Sequence, residues 1–349
     1  MEHKSYHQQK TIENTLKLRE LQAELPVWTK DFFRGIEQVT ESRTRIAYAQ
    51  DLQGFFEYIQ RSNPLYKEMK IQELPIKLLT QLKSTDFEEY LEYLKVYDKD
   101  GKLLSNKERA IKRKLSALRA MYRYFHKNRV IEENPVLLVD MPKIHDKAIV
   151  RLDIDEVADL LDVVESGNRL TNHQKVFHEK NKVRDLALMT LLLGTGIRVS
   201  ECVGLDLHDV DFNNDRIKVV RKGGYESYVY FGEEVREALH NYIIERRTMV
   251  AIEGHDNALF LSSRRSRISV RNVEVLVKKY ARTVTTMKKI TPHKLRSTYG
   301  TSLYQETGDI YLVADVLGHS DVNTTKKHYA AVEEERRRSA RNKVKLREK

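Results

Sequence analysis

Apolar residues in the first half of the chain recur at the three- and four-residue spacing of an amphipathic helix. The pattern runs through residues 44–60 and again through residues 106–128. In the second stretch the apolar positions form one stripe, made by Ile111, Leu115, Leu118, Met121, Tyr122 and Phe125. Basic residues lie mainly away from this stripe, at Lys112, Arg113, Arg119, Arg123 and Lys127. The pattern predicts a helical domain over residues 31–140 with one cationic helix face.

The pattern changes over residues 133–153, where two prolines, mixed charge and no sustained period are typical of a connector. Asp153 and Glu156 then have the spacing of a capping box, which predicts a helix start at the head of a second domain. Residues 184–205 read as an apolar helix, a Gly-Thr-Gly break and a second helix. Residues 216–231 alternate around a Gly-Gly pair, which predicts a tight β-hairpin.

These elements predict a protein that is mainly α-helical with a small antiparallel β-sheet. Two domains are expected, with the second of mixed α/β type. The boundaries that we predict are an N-terminal segment over 1–30, the helical domain over 31–140, a linker over 141–152, a second domain over 153–335 and a charged tail over 336–349.

Charge makes a polyanionic partner the natural expectation. The formal net charge is +11, and the excess is shared by both halves, with 27 basic and 22 acidic residues up to residue 150 and 35 and 29 after it. No apolar run approaches the roughly 18 residues of a membrane span, and residues 1–10 lack a signal-peptide core. A single cysteine, Cys202, excludes an internal disulfide and a cysteine-based zinc site. We therefore expect a cytoplasmic protein.

In the second domain, cationic residues or residues that can transfer protons lie at five places where a helix or strand is predicted to begin, end or turn. Arg198 follows the Gly-Thr-Gly break at a helix start, Lys222 lies at the hairpin turn, and His319 follows Leu317-Gly318. His293 and Arg296 are three residues apart after Pro292, so a helix would point them the same way. Tyr329 lies ten residues after His319. Each of these residues has an ordinary alternative as a surface cation, cap or packed ring, but together they suit a phosphate cage beside a tyrosine.

The motifs GTGIRVSE, RKGG, PHKLR and LGHSD, followed by a tyrosine, closely resemble in this order the catalytic domain of tyrosine recombinases, the Xer and phage-integrase family. The helical first half resembles the family's SAM-like core-binding domain. The resemblance covers roughly residues 30 to 335. Many Xer-type members place the nucleophile nine residues after the second histidine, where this chain has His328, and Tyr329 comes one residue later.

The resemblance implies a catalytic set and a mechanism. Tyr329 would be the nucleophile, with Arg198, Lys222, His293, Arg296 and His319 around the scissile phosphate of DNA. Glu201 and Asp185 would support Arg198, although a simple ion pair on a helix surface explains them equally well. Contacts to DNA are expected from five cations, Lys112, Arg113, Arg119, Arg123 and Arg221. The chemistry implied forms a 3′-phosphotyrosyl link and requires no cofactor and no metal.

The partners implied are double-stranded DNA with a specific recombination site and further recombinase subunits. A tetramer on two duplexes is expected, either of this chain alone or with a second recombinase, its active sites coupled by a C-terminal helix beyond Tyr329. Xer-type resolution of chromosome dimers is favoured, because about 30 residues before the helical domain are too few for an arm-binding domain. The alternatives are an integrase of a mobile element and a DNA-binding protein without activity.

Binding to DNA is predicted to depend steeply on salt. Each phosphate neutralised by lysine or arginine releases condensed counterions, which contributes about −0.9 to the slope of log affinity against log salt. Fluorescence anisotropy of a labelled duplex at several salt concentrations measures this slope. An affinity that stays constant between low and moderate salt would contradict the cationic interface.

Overall fold

The computed structural model describes residues 5–99, 101–144, 150–221 and 223–319, together with residue 322. The chain divides into two compact units, Met1–Lys147 and Ala148–Lys349. The predicted domain boundaries stay predictions. Within the described ranges, no helix is both long and apolar enough to cross a membrane.

The first unit is helical with one short antiparallel hairpin. Its elements are α1 (Tyr6–Ala23), α2 (Thr29–Gly35), α3 (Ser42–Ser62), α4 (Leu78–Gln81), α5 (Ser84–Lys95), β1 (Tyr97–Lys99), β2 (Lys102–Leu104) and α6 (Glu108–Lys127). The helices α3 and α6 match the two stretches whose period predicted them. The hairpin was not predicted, although an Asp-Gly pair between its strands is a recognised turn signal.

Aromatic rings fill the core of the first unit. The six apolar residues of the predicted α6 stripe are all buried, which confirms that interpretation of the pattern. Phe55 of α3 packs between Phe87 and Tyr90 of α5, and Phe87 meets Tyr122 of α6 edge to face. The helix α1 packs on α3, and its Leu18 joins the same core. The segment before residue 30 is therefore part of this unit's packing.

The second unit consists of helices packed around one apolar helix, together with a small β-sheet. Its elements are α7 (Ile154–Ser166), α8 (Asn172–Glu179), α9 (Lys182–Thr195), α10 (Val199–Gly204), β3 (Val210–Asp211), β4 (Arg216–Val220), β5 (Glu226–Tyr230), α11 (Glu233–Arg247), α12 (Val270–Val284), α13 (Pro292–Thr307) and α14 (Ile310–Leu317). The strands form one antiparallel sheet in the order β3-β4-β5. The predicted fold class, mainly helical with a small antiparallel sheet, is confirmed.

The helix α9 organises the second unit because α7, α11 and α13 all pack against it. Its apolar residues are buried around almost the whole helix, as expected for a central element. The predicted capping box before α7 is present, with the Asp153 backbone N–H donating to Glu156 Oε2 at 2.8 Å. The predicted break is also present, since α9 ends at Thr195 and α10 begins at Val199.

Tight packing between α9 and α11 makes Gly194→Ala destabilising. A methyl group at residue 194 would lie 2.4 Å from Cγ2 of Val235, a buried and stiff β-branched side chain. Overpacking costs about 1–3 kcal/mol, and the helix-propensity gain is small this close to the helix end. We expect the free energy of unfolding to fall by about 1–2 kcal/mol in urea titrations followed by circular dichroism.

A helix glycine in the first unit provides the matched control. A methyl group at Gly54 of α3 would have its nearest neighbour at 3.8 Å, an ordinary contact. Gly54→Ala should therefore raise the first unit's stability by about 0.5–1 kcal/mol, measured through the fluorescence of Trp28, the chain's single tryptophan. Adding Val235→Ala to Gly194→Ala should cost less than the two single changes together. Additive effects would show that the two residues do not collide.

Candidate functional site

The C-terminal end of α14 is the point at which the functional residues of the second unit meet. The last carbonyls of a helix have no intrahelical N–H partner and carry the negative end of its dipole. In α14 and the residue after it, these carbonyls belong to Val316, Leu317 and Gly318, and three arginines donate to them. The arginines come from three separate segments of the chain, at residues 198, 221 and 296.

Arg198 immediately precedes α10 and is held by a carboxylate on that helix. Its Nη2 donates to the Gly318 carbonyl at 3.0 Å, and its Nη1 donates to Glu201 Oε1 at 2.8 Å. The Glu201 Oε2 accepts the Arg198 backbone N–H at 2.8 Å. Glu201 is buried, whereas a third of the Arg198 side chain (33%) is exposed. Glu201 and Arg198 are thus in direct contact, and Arg198 stays partly open to solvent.

Arg296 lies on the first turns of α13 and is buried. Its Nη1 donates to the Gly196 carbonyl at 2.7 Å, and its Nη2 donates to the Leu317 carbonyl. It therefore joins the break after α9 to the end of α14. His293 lies one turn earlier on the same helix and is exposed, so the predicted helical pairing of these two residues is present.

His319 follows directly on Gly318, which ends α14 in the left-handed conformation with φ of 60°. The backbone N–H of His319 donates to the Ala314 carbonyl at 2.9 Å, which closes the helix end. The imidazole is thus carried by the same helix end that the arginines bind. Of the six residues predicted to be catalytic, Arg198, Arg296 and His319 converge there, and His293 shares a helix with Arg296. Lys222 and Tyr329 lie outside the described residues.

Close approach of α14 to the break after α9 depends on a glycine. A methyl group at Gly196 would lie 2.4 Å from the Tyr299 ring and 2.9 Å from Leu317 Cδ2. Gly196 also has φ of 61°, which side chains rarely adopt. The Gly-Thr-Gly break thus ends α9 and admits the neighbouring helix end.

Arg221 was predicted to contact DNA, and the structure places it differently. Its side chain is 11% exposed, and its Nη1 and Nη2 donate to the carbonyls of Leu317 and Val316 at 3.1 and 3.0 Å. Burial lowers the pKa of Arg221, while Glu201, 3.7 Å away, acts in the opposite direction. The guanidinium is turned into the protein, so the prediction of an outward DNA contact is corrected to an internal one.

Asp185 was predicted to support Arg198, and its contacts are elsewhere. Its carboxylate accepts from Arg184 at 2.6 Å and from the Tyr280 hydroxyl at 2.8 Å, and Lys279 Nζ is 3.5 Å away. The Tyr280 hydroxyl also meets Nδ1 of buried His178 at 3.0 Å. Burial raises the pKa of Tyr280 and lowers that of His178, which keeps both rings neutral at pH 7. Asp185 therefore belongs to an internal network that joins α8, α9 and α12.

Two of the four α6 cations predicted to contact DNA have partners within the first unit. Arg113 donates to the buried carboxylate of Asp51 at 2.5 Å, and about half of its side chain remains exposed. Arg119 donates to the carbonyls of Val136 and Val139 at 3.4 and 2.5 Å. Arg119 therefore stabilises the segment after α6. Arg123 is exposed and Lys112 is half-buried.

The charge of the arginine cluster suits an anion. Arg198 and Arg221 share one buried carboxylate, Glu201, and Arg296 joins them at the end of α14, so three guanidiniums outnumber the buried carboxylate. The Arg221 contribution is the one that sequence patterns did not reveal, because a side chain's direction depends on the hairpin's packing. An Arg-Lys pair at a hairpin turn was the available signal.

A possible cation site lies away from this cluster. Within the described part of the chain, Asp206, His208 and Asp209 have ligand atoms close enough to share an ion. Asp206 is already paired with Arg267, and Asp209 Oδ2 accepts the Asp206 backbone N–H at 2.8 Å. Asp209 also has Lys218 Nζ at 3.8 Å. These contacts explain the carboxylates as ion-pair and capping groups.

Comparison with known proteins places this geometry in a family. The model of the Phage integrase family matches residues 150–336. Tyrosine recombinase XerS of Streptococcus equi subsp. zooepidemicus is 31% identical over 345 residues, covering 92% of this chain and 96% of that protein. Tyrosine recombinase XerS of Streptococcus mutans serotype c is 30% identical over 346 residues, with the same coverage.

Solved structures show the same fold. The XerH site-specific recombinase bound to palindromic difH substrate, in a post-cleavage complex, has a TM-score of 0.62 at 20% identity, covering 81% of this chain and 75% of that one. The Tn1549 transposon integrase in complex with circular intermediate DNA has a TM-score of 0.61 at 22% identity, covering 85% and 93%. The chain belongs to the phage integrase family of tyrosine recombinases, enzymes that cleave and rejoin DNA.

Proposed function

We propose that this chain is a Xer-type site-specific recombinase that cuts and rejoins DNA through a 3′-phosphotyrosyl intermediate on Tyr329. The observation that carries the proposal is the gathering of Arg198, Arg296 and His319 at the end of α14, with Glu201 orienting Arg198. Arg198 lies about a hundred residues before Arg296 and His319 in the sequence, and the three residues match the family's motifs one by one.

In the proposed reaction the phenol oxygen of Tyr329 attacks the scissile phosphorus, and the bond from phosphorus to the 5′ oxygen breaks. Arg198 and Arg296 bind the non-bridging oxygens and stabilise the charge of the pentavalent transition state. A guanidinium has five N–H groups, and the contacts of Arg198 with Glu201 and Gly318 occupy two of them through the side chain. The exposed third of Arg198 is the part that a phosphate can approach.

Proton transfers complete the step. A phenol with a reference pKa near 10 is a poor nucleophile at neutral pH, so His293 accepts its proton, and His319 hydrogen-bonds the phosphate. Lys222 gives a proton to the departing 5′ oxygen. Attack by the 5′ hydroxyl of a partner strand reverses the reaction and frees Tyr329. The phosphotyrosyl bond retains the energy of the broken bond, so no nucleotide cofactor is consumed.

The partners in this proposal are double-stranded DNA with a specific site and three further recombinase subunits, so that a tetramer holds two duplexes. Solved relatives support DNA as the partner, because XerH is bound to difH substrate and a lambda integrase dimer is bound to a COC′ core site. The proposal places the protein with the chromosome in the cytoplasm, resolving chromosome dimers. The XerS relatives, similar over 92% of the chain, favour this role over that of a mobile-element integrase.

Trapping on a nicked suicide substrate tests the nucleophile. A nick close to the cleavage point lets the short fragment that bears the new 5′ hydroxyl diffuse away, so the covalent protein–DNA complex accumulates. We expect the unsubstituted protein to form a band that survives denaturing electrophoresis, and Tyr329→Phe to form none while binding DNA equally well. Equal trapping by the Phe variant would refute the nucleophile assignment. Relaxation of supercoils without paired sites would instead identify a topoisomerase.

Two acid-to-amide changes separate the roles of Glu201 and Asp185. Glu201→Gln cannot accept both N–H groups of Arg198 and should misplace its guanidinium, lowering the cleavage rate by roughly 10²-fold. Asp185→Asn leaves Arg184 and Lys279 without their buried countercharge and should cost about 3–5 kcal/mol of stability. Single-turnover cleavage at saturating DNA, normalised to folded protein, should remain near normal for Asp185→Asn. Equal catalytic defects in both variants would contradict the division.

A further inference from the structure

The side chain of Arg221, next to the turn of the hairpin between β4 and β5, is hydrogen-bonded to α14. Arg221 directly follows β4, and its backbone N–H donates to the Tyr225 carbonyl at 2.7 Å. Its carbonyl accepts the Gly224 N–H at 3.0 Å. The backbone of Arg221 is therefore bonded on both sides into the turn, so its side chain and the turn move together.

The Arg221 guanidinium is bound to two successive carbonyls of α14. Its Nη2 meets the Val316 carbonyl and its Nη1 the Leu317 carbonyl, at 3.0 and 3.1 Å, while Glu201 Oε2 lies 3.7 Å from Nη1. A planar guanidinium that bonds through both terminal nitrogens has its position and its orientation fixed, which a single ammonium cannot reproduce. Burial makes these bonds stronger than they would be in water.

Gly318 leaves the space that this contact requires. A methyl group at residue 318 would lie 2.7 Å from Arg221 Nη1 and 2.8 Å from Cζ. The φ of 60° at Gly318 adds a conformational reason for glycine. The end of α14 is thus shaped around the Arg221 side chain as well as around the turn to His319.

The helix end accepts hydrogen bonds from other arginines as well, whereas among the described residues Arg221 is the hairpin side chain that donates to α14. Arg296 also donates to the Leu317 carbonyl, and Arg198 donates to that of Gly318. Loss of Arg221 would therefore leave α14 bound by the two phosphate-binding arginines. It would release the turn, in which residue 222 directly follows Arg221 in the sequence.

We propose that Arg221 is a positioning residue for the general acid, holding the hairpin turn against α14 so that Lys222 delivers its proton to the leaving 5′ oxygen. The inference rests on the proposed function, in which Lys222 has that role. Arg221 itself contacts neither the phosphate nor the reacting oxygens, and it acts through the residue beside it.

Replacing the leaving oxygen by sulfur isolates proton delivery. In a 5′-bridging phosphorothiolate substrate the phenol forms the same bond to phosphorus, and the phosphorus–sulfur bond breaks with its electron pair on sulfur. A thiol has a pKa of about 8.5, so the thiolate departs without a proton. A variant that lacks only the general acid or its alignment is then restored, whereas a variant with a damaged phosphate site is not.

The test compares first-order cleavage rates on oxygen and sulfur substrates of one sequence. Arg221→Ala should cleave the oxygen substrate about 10²-fold more slowly than the unsubstituted protein, the scale of general acid catalysis. On the sulfur substrate the two proteins should have comparable rates. Lys222→Ala should show the same pattern. Arg221→Lys keeps the charge without the fork, and it should give a smaller defect on oxygen with none on sulfur.

Arg246→Ala is the matched control for loss of a buried arginine. Its guanidinium donates to the carbonyls of Ala258 and Asp256 at 2.9 and 2.7 Å, so it resembles Arg221 in burial and bonding but holds a different loop. We expect Arg246→Ala to lose stability and to change both rates by the same factor. Selective rescue by sulfur in this control would overturn the inference, because any loosening of the fold would then produce it.

The remaining outcomes distinguish a failure of this inference from a failure of the proposed function. If sulfur restores Lys222→Ala but leaves Arg221→Ala, and Arg221→Lys with it, as slow as on oxygen, Arg221 does not align the acid and the inference is wrong. If sulfur fails to restore Lys222→Ala, the role of Lys222 is wrong and the inference fails with it. If the unsubstituted protein forms no covalent complex on either substrate, the proposed function itself fails.

Discussion

The end of α14 carries three carbonyls that the helix cannot satisfy, and the arrangement of the site follows from how the chain satisfies them. Arginines at 198, 221 and 296 donate to these carbonyls from the start of α10, the hairpin turn and α13. A helix C-terminus attracts cations through its dipole and its unpaired acceptors together. One helix end thereby gathers guanidiniums that would repel each other in isolation.

The three arginines differ in how far they are buried. Arg221 and Arg296 lie inside the protein, whereas Arg198 keeps a third of its side chain exposed. Glu201 reduces the repulsion between Arg198 and Arg221 because its two carboxylate oxygens lie between them. Three guanidiniums outnumber the one buried carboxylate. The negative charge of the pentavalent phosphate in the transition state would balance the excess positive charge. The end of α14 thus stabilises the packing of the second unit and also brings together the cations of an anion-binding site.

Asp185 shows how the same residue types serve stability alone. Like Glu201 it is buried and has cationic partners, which are Arg184 and Lys279. Its contacts with Lys279 and Tyr280 connect α9 to α12. In the first unit Asp51 plays a similar part with Arg113 and Lys114. A buried carboxylate with cationic partners is therefore no sign of catalysis by itself. What distinguishes Glu201 is that its partner Arg198 also donates to the end of α14, where Arg296 and His319 lie.

Local sequence patterns were enough to predict many of the secondary-structure elements, and motif resemblance was enough to name the candidate site residues. Period and punctuation predicted α3, α6, the capping box before α7, the break between α9 and α10, and the β4–β5 hairpin, because these signals are local. Motif resemblance named Arg198, His293, Arg296 and His319, although Lys222 and Tyr329 lie outside the described residues and stay predictions. The partner of each charged side chain could not be predicted from these patterns, because it depends on which distant segment packs beside it. In the folded protein Arg221 binds α14, Asp185 binds Arg184 instead of Arg198, and Arg119 binds carbonyls after α6.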